Sequence, residues 1–415
     1  MLSLLAPDIT KELLLFPGGI HCVRLNEENV YRIILKLPVN YLLPMKTNKG
    51  FKIYVSPIEV SGTYSVGLLC AFFDDPDAPL TCLRFLDHSS DTLDMIHALS
   101  KREAMIHIFD EQNRELLGYS AEIKVPLTSK VRLEHANLSS LEGKDLNAAS
   151  EQAMIWFGLR DAQEDADAIQ VNFTAPLFPE DIIINDLRPE LHFYHGNKGF
   201  GFTSLERENA GLYQELDIIN LLHRVFKPEQ IYHAPKRFYD KEEIADIIII
   251  TDSTCLIIQA KDSPNTAQIQ SRTLQRKRLA SIKMLKSALK QISGAVNYVD
   301  TYRPFKMLMD GQEISINLGK RQILSLAIVR EMFNDTYNEY SQELFSLFNT
   351  INLPCIALDY AELHRYTTYC SDEGRFLGAY FQVFNFALSN GCFPRLRFGP
   401  EDAVNWMNEQ GIDIN

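Results

Sequence analysis

The chain is short of most features that place a protein at once. None of its apolar runs approaches the roughly 20 residues that span a bilayer, so no membrane passage is expected. Its 7 cysteines (Cys22, Cys70, Cys82, Cys255, Cys355, Cys370 and Cys392) are odd in number, scattered and nowhere spaced as CxxC. That argues against a disulfide framework or a zinc knuckle and fits a reducing cytoplasm. The opening MLSLLAPDITKELLLF has neither a basic n-region nor a small-residue cleavage site, so no signal peptide is expected. There is no GxSxG, no HExxH and no GK[ST], which removes the serine-hydrolase, zinc-protease and phosphate-loop readings. Positive charge is scarce as well: 41 Lys and Arg stand against 54 Asp and Glu, a net charge of −13. A surface that coats nucleic acid as a whole would be basic, so any such contact must come from a local patch.

What is present reads as an α/β protein of mixed α+β type. At 415 residues the chain exceeds one ordinary core, and about two or three domains are expected. The composition, 46% hydrophobic and 23% charged, is that of a soluble globular protein. Residues 1–195 are β-rich, with strand composition in NVYRIILKL, GFKIYVSPIEV and SVGLLCAFF, and a hairpin turning at Glu111–Arg114. In FFDDPDAPL, Asp74, Asp75 and Asp77 share a loop without the spacing of a calcium site; a solvated acidic loop is the plainer reading. A helix is expected over Leu146–Gln163, and HGNKGFGFTS (His195–Ser204) reads as a flexible connection marking the boundary. Beyond it, 205–415 mixes elements. AGLYQELDIINLLHRVF is helical, and QIYHAPKRF, EIADIIIIT and TCLIIQAKD are strands. A long helix from about Ala267 to Val299, a hairpin at Asp310–Gly311, the strand QILSLAIV, a helix around Tyr340–Phe348 and the strand PCIALDY follow. The end is helical, with Pro400 at a first helical position and Gly411 at a stop.

Within this second half, EIADIIIITDSTCLIIQAKD is apolar on both faces of both strands, as in strands inside a covered sheet. A turn at Asp252–Ser253 pairs Thr251 with Thr254, and counting outward sets Asp246 opposite Gln259. Directly opposed side chains lie roughly 4.5–5.5 Å apart at Cβ, close enough to share one small cation. Lys261 points to the same face as Gln259, because the side-chain period is two. Mg²⁺, for which Mn²⁺ can substitute, takes oxygen ligands. Asp246 offers charge, Gln259 an amide oxygen and Ala260 a backbone carbonyl, while Lys261 is placed to activate water or to stabilise a pentavalent phosphate. The plain alternative is a strand with polar ends emerging into solvent.

An Asp followed by QxK, after a helix carrying Glu and in the order helix–strand–strand–strand–helix, resembles the PD-(D/E)xK nuclease superfamily. The QAK looks most like the Mrr-type restriction endonuclease catalytic domain. The resemblance covers roughly Glu208 to Val299, and Ala245 stands where a proline would precede Asp246. It implies a restriction-endonuclease-like domain with a mixed central sheet, with Asp246 and Gln259 as metal ligands and Lys261 as the catalytic lysine. A further acid from the preceding helix is implied. Glu215 is the choice, because it falls among Leu212, Leu216, Ile219, Leu222 and Phe226, where a carboxylate needs a positive partner. Asp217 points nearly the opposite way, Glu208 is the reserve, and His223 on the stripe is read as a hydrogen-bonded histidine.

The long helix carries the local patch that the net charge requires. Arg272, Arg276, Lys283, Lys286 and Lys290 cluster on one side, with Lys277 and Arg278 adding charge and no acid from Ser263 to Val299. Leu274, Ile282, Leu285 and Leu289 take much of the other side. This is a candidate phosphate-binding stripe, and a solvated face is its plain alternative. Gln291 occupies a place where the resembled nucleases set a supporting polar residue. The expectation is a Mg²⁺-dependent phosphodiesterase, an endonuclease acting on DNA ahead of RNA. The likeness implies a role in bacterial restriction or antiviral defence, a homo-oligomer, and partner defence proteins. The competing reading is a nucleic-acid binder or sensor that has kept the fold and lost catalysis. Residues 1–195 could recognise a target, mediate oligomerisation or sense a trigger.

Overall fold

The computed structural model describes residues 1–13, 18–25, 30–60, 62–74, 79–138, 141, 144–179, 193–197, 205–206, 210–262, 266–395 and 398–409. Glu208, Gly411, Asp75, Asp77, EDIIINDL and most of the HGNKGFGFTS connection lie outside them. The chain is a mixed α/β protein with a strand-rich N-terminal part.

The N-terminal strands are β1 (Gly19–Leu25), β2 (Val30–Lys36), β3 (Gly50–Val60), β4 (Thr63–Phe72) and β5 (Leu80–Phe85). They continue with β6 (Glu103–Phe109), β7 (Glu115–Lys124) and β8 (Ile169–Pro176). Among them run α1 (Leu2–Leu5), α2 (Pro7–Leu13), α3 (Val39–Asn48), α4 (Ser90–Leu99), α5 (Leu127–Glu134), α6 (Lys144–Gly158) and α7 (Ala162–Asp167). The strands form one eight-stranded sheet in the order β1-β2-β6-β7-β8-β3-β4-β5, antiparallel except where β2 meets β6. The sheet curls until its edge strands approach, and Arg84 of β5 donates to the Ile20 carbonyl of β1 at 2.9 Å.

The second part holds α8 (Ala210–Leu222), β9 (Ile231–His233), β10 (Lys236–Arg237), β11 (Ile247–Ile250) and β12 (Thr254–Lys261). Then come α9 (Ala267–Gln270), α10 (Leu274–Thr301), β13 (Phe305–Met309), β14 (Gln312–Ile316) and β15 (Gln322–Val329). The chain closes with α11 (Tyr337–Ile351), β16 (Cys355–Asp359), α12 (Tyr360–Tyr369), α13 (Glu373–Asn390) and α14 (Pro400–Glu409). Its central sheet runs β16-β15-β12-β11-β9, parallel through β16, β15 and β12 and antiparallel through β11 and β9. The apolar composition of β11 and β12 is explained by burial on both faces. Helix α10 covers one face with Leu285, Ala288, Leu289, Ile292, Val296 and Val299 at helical spacing. Helices α12 and α13 meet elsewhere on the sheet through the rings of Tyr366 and Phe376, and Phe226, past the end of α8, packs on Phe376.

Three local expectations change. QIYHAPKRF is two strands in two sheets, β9 and β10, because Ala234 takes a left-handed conformation just before Pro235. The long helix starts at Leu274, with α9 as a separate turn before it. On α8 the apolar stripe is not the whole account: Leu212 is exposed, whereas Asp217 is buried. The helix lies between two layers, so both its faces are covered along Asp217–Leu222.

The second layer is the tip of the β6–β7 hairpin. Every residue from Asp110 to Glu115 is buried although all have polar side chains. Arg114 donates from Nε to Asp110 Oδ2 at 2.6 Å and from Nη1 to Asp217 Oδ1 at 2.8 Å. Tyr360 of α12 donates to Glu111 Oε1 at 2.6 Å, Gln112 donates to the Asp217 carbonyl at 3.2 Å, and Arg224 donates to the Glu111 carbonyl at 3.1 Å.

Candidate functional site

The register of the β11–β12 hairpin is set by its turn. Thr251 N–H bonds the Thr254 carbonyl at 2.9 Å, and the Thr251 hydroxyl accepts from the N–H groups of Ser253 and Thr254 at 3.2 and 3.0 Å. From this turn the ladder counts Ile250↔Cys255 through Ile247↔Ile258. The next pair is Asp246 opposite Gln259, as the sequence predicts. β11 has ended there, so the Asp246 carboxylate bends across the gap. Gln259 Nε2 donates to Oδ1, and the Ala260 N–H donates to Oδ2 at 2.6 Å. Both Asp246 and Gln259 are buried.

That last bond fixes the direction of Ala260. In a strand, the N–H and C=O of one residue point to the same edge. The Ala260 carbonyl is therefore turned to the edge that Asp246 occupies. Lys261, at the end of β12, is half-buried and its charge acts on Asp246 and on Glu243. Glu215 of α8 reaches the same neighbourhood. Its Oε2 is 2.8 Å from His233 Nε2 on β9, and its charge is felt at Asp246. A carboxylate on this helix thus has a hydrogen-bonding partner in His233.

The structure adds two residues that sequence reasoning missed. His233 pairs with Ile247 across β9 and β11, one step from Asp246. Glu243 is exposed, its backbone forms an isolated bridge to Lys236, and its carboxyl interacts with that of Asp246. EEIAD held a hint in its acids just ahead of a buried strand, but no periodicity singled out one of them. Burial raises the Asp246 carboxyl above its ordinary range and Glu215 adds to this, while the Glu243 bond, Lys261 and the Ala260 N–H pull it back. Glu243 is pushed up by desolvation of its carboxyl, then by its bond to Asp246 and by the charges of Asp246 and Glu215.

The charges of Glu215 and Lys261 thus act on both Asp246 and Glu243. Gln259 Oε1 is buried without a hydrogen-bond partner, a costly state for an amide oxygen. An oxygen-ligand cation would satisfy both the surplus negative charge and that oxygen, so the residues fit Mg²⁺ or Mn²⁺ chemically. Among the described residues no group of three or more His, Cys, Asp or Glu side chains could hold a metal ion by itself. Any such ion depends on the amide and carbonyl oxygens as well.

Arg272, just ahead of α10, and Arg276, Lys283, Lys286, Lys290 and Gln291 on it are all exposed. The stripe is narrower than its sequence suggests. Lys286 pairs with Glu343 at 3.1 Å, Arg278 with Asp335, and Lys277 with Asp74 at 3.1 Å. The Asp74 pair ties the acidic loop of the N-terminal part to the helix, so Asp74 is not simply solvated. Among the described residues Arg276, Lys283 and Lys290 form no ion pair.

A comparison with known protein families found no match, and neither did one with curated protein sequences.

Proposed function

We propose that the chain is a metal-dependent nuclease hydrolysing phosphodiester bonds, with DNA as its substrate ahead of RNA. The observation that carries this reading is the convergence of Asp246, Gln259 and the Ala260 backbone beside Lys261 at one end of a buried hairpin. Mere polar strand ends would need neither a buried carboxylate nor an orphaned amide oxygen.

Asp246, the Gln259 amide oxygen and the Ala260 carbonyl would hold Mg²⁺, with Glu215 adding negative charge from α8. When bound, the ion supplies Lewis-acid stabilisation of charge on the phosphate. Lys261 orients the attacking water and carries positive charge toward the pentavalent phosphate, where charge grows in the transition state. His233 holds Glu215 by one hydrogen bond. The unpaired basic residues of α10 hold the phosphate backbone.

The test is purified protein incubated with plasmid, linear and single-stranded DNA and with RNA, in Mg²⁺ and in excess EDTA. Cleavage is expected with Mg²⁺ alone and is expected to vanish in Asp246→Ala, which removes the buried acid of the hairpin. Full cleavage in EDTA would overturn the reading. Binding without cleavage would favour the sensor that has lost catalysis.

A further inference from the structure

We propose that the cleft between the two parts of the molecule is a nucleobase site, and that guanine is the base it fits best. This goes beyond the nuclease reading, and its binding test needs no cleavage.

Two adjoining cavities, of about 60 and 40 Å³, share Asn40 and Arg330 in their linings. Asp262, Arg330 and Tyr360, the residues that directly follow the parallel strands β12, β15 and β16, form one side. The crevice beyond the carboxyl ends of such strands is where open α/β sheets take their ligands. The N-terminal part closes the other side with Asn40 of α3 and with Asp74, past the end of β4. These walls are held in place. Val39 N–H donates to Glu111 Oε2 at 2.7 Å at the start of α3, and Lys277 donates to both the carbonyl and Oδ2 of Asp74 at 3.1 Å.

Three buried oxygens of this lining have no hydrogen-bond partner in the protein: Asn40 Oδ1, Asp74 Oδ1 and Gln214 Oε1. Gln214, on α8, is only 4% exposed. The three come from separate elements, and every one is an acceptor. Orphaned buried acceptors are uncommon in native proteins, so three at one cleft select an occupant that brings N–H donors. The larger cavity is otherwise apolar, with Leu80, Ile269, Met284 and Phe333 in its wall. Donors along an edge between apolar faces describe a flat heterocycle. A water needs about 10–15 Å³ of such space, so 60 Å³ holds a few waters or one ring system. Among the bases guanine presents the most donors on one edge, N1–H beside the N2 amino group. Asp74 Oδ1 is a charged acceptor and makes the stronger bond to such a group. Arg272, exposed at the mouth of the same cavity, is placed for the phosphate of that nucleotide. A free guanine nucleotide and a guanine unstacked from a nucleic-acid strand offer this same chemistry.

The experiment measures binding to the full chain by calorimetry in EDTA, so that nothing is cleaved. One arm uses the monophosphates of guanosine, inosine, adenosine and uridine. The other uses single-stranded DNA with one guanine, or one hypoxanthine in its place. Guanine should bind about tenfold tighter than hypoxanthine, which lacks the amino group, as for one buried hydrogen bond. Gln214→Leu and Asn40→Leu should each weaken guanine binding by about tenfold, and Ala280→Met, which fills the larger cavity, should abolish it. Without ligand, Gln214→Leu and Asn40→Leu should melt at or above wild type, since the oxygens removed bond nothing in the protein. Merely structural side chains would lower the melting temperature and leave binding alone. Should one variant fail to fold, the other two make the same comparison. Guanine preference among the monophosphates identifies a free nucleotide as the ligand, and preference confined to the strands identifies a base drawn from nucleic acid. No preference for guanine in either arm, or variants that bind like wild type, overturns the proposal and leaves a water-filled cleft. Guanine binding by a protein that cleaves nothing in Mg²⁺ keeps this site and removes the nuclease reading, and cleavage without base preference does the reverse.

Discussion

Arg114 and Asp217 join the two parts of the molecule through one buried ion pair, Nη1 to Oδ1 at 2.8 Å, while Arg114 Nε holds Asp110 at 2.6 Å. One guanidinium therefore serves two buried carboxylates from different parts of the fold. Removing it takes away the guanidinium that the two carboxylates share. Arg114→Ala should cost about 3–5 kcal/mol, the range for breaking a buried ion pair. Asp217→Asn, which keeps an acceptor for Arg114, should cost less. Urea unfolding of the two variants checks this, and a loss below about 1 kcal/mol in Arg114→Ala would mean that the two groups are not a buried pair in solution.

Glu111 gives a pH signature. Burial first, then the neighbouring charge of Asp110, push its carboxyl from the ordinary 4.5 up to about 7, against the hydrogen bond from Tyr360. Between those values the folded protein holds a proton that the unfolded chain has released. Linkage then makes stability fall as pH rises. The contribution is fully present below pH 4.5 and is lost as pH climbs through about 7. Glu111→Gln cannot titrate, so its unfolding free energy should decline less than that of wild type between those pH values. Parallel pH curves for the two proteins would contradict the assignment.

Lys261 is expected to act in the transition state and not in binding. Lys261→Ala should lower the single-turnover cleavage rate by about a hundredfold to a thousandfold, as for loss of one preorganised charge donor. Affinity for uncleaved nucleic acid should barely move. Lys261→Arg should not restore the rate, since a planar guanidinium cannot stand in for a compact ammonium. Wild-type cleavage by Lys261→Ala would return LIIQAKDS to a strand that merely reaches the surface.

The basic helix can be divided by its ion pairs. Arg276, Lys283 and Lys290 are exposed and unpaired among the described residues, whereas Lys286 is engaged by Glu343. Replacing the first three with Ala should flatten the salt dependence of duplex DNA binding by about 0.9 in slope for each phosphate that is no longer neutralised. Lys286→Ala should have a smaller effect than any of the three. Equal affinities and slopes throughout would make α10 a solvated face.

How far the sequence could be read follows from the range over which each interaction acts. The Asp246–Gln259 opposition was legible because it needs only a short turn and a period of two. Lys261 and the covered faces of β11 and β12 came from the same local rules. Glu243 and His233 were not legible. Their places depend on the break at Ala234–Pro235 and on a bridge to Lys236, which no periodicity announces. Asp217 looked like the solvent side of an amphipathic helix. It is buried because a hairpin more than a hundred residues earlier docks on that side, and a one-stripe rule presumes one neighbour. The ion pairs that narrow the basic stripe were hidden for the same reason, since Glu343, Asp335 and Asp74 lie far along the chain.

The polar tip of the β6–β7 hairpin also determines the mechanics of the joint. Leucines in its place would let one part rock or slide over the other, because dispersion has no preferred direction. Charged hydrogen bonds do, and the fork of Arg114 is planar, so a small twist breaks it. The joint is therefore stiff against rotation, more like a key in a lock than a greased bearing. Glu215 stands two residues from Asp217 on the same helix. Its alignment with Asp246 is thus set partly by a hairpin that grips the helix at Asp217.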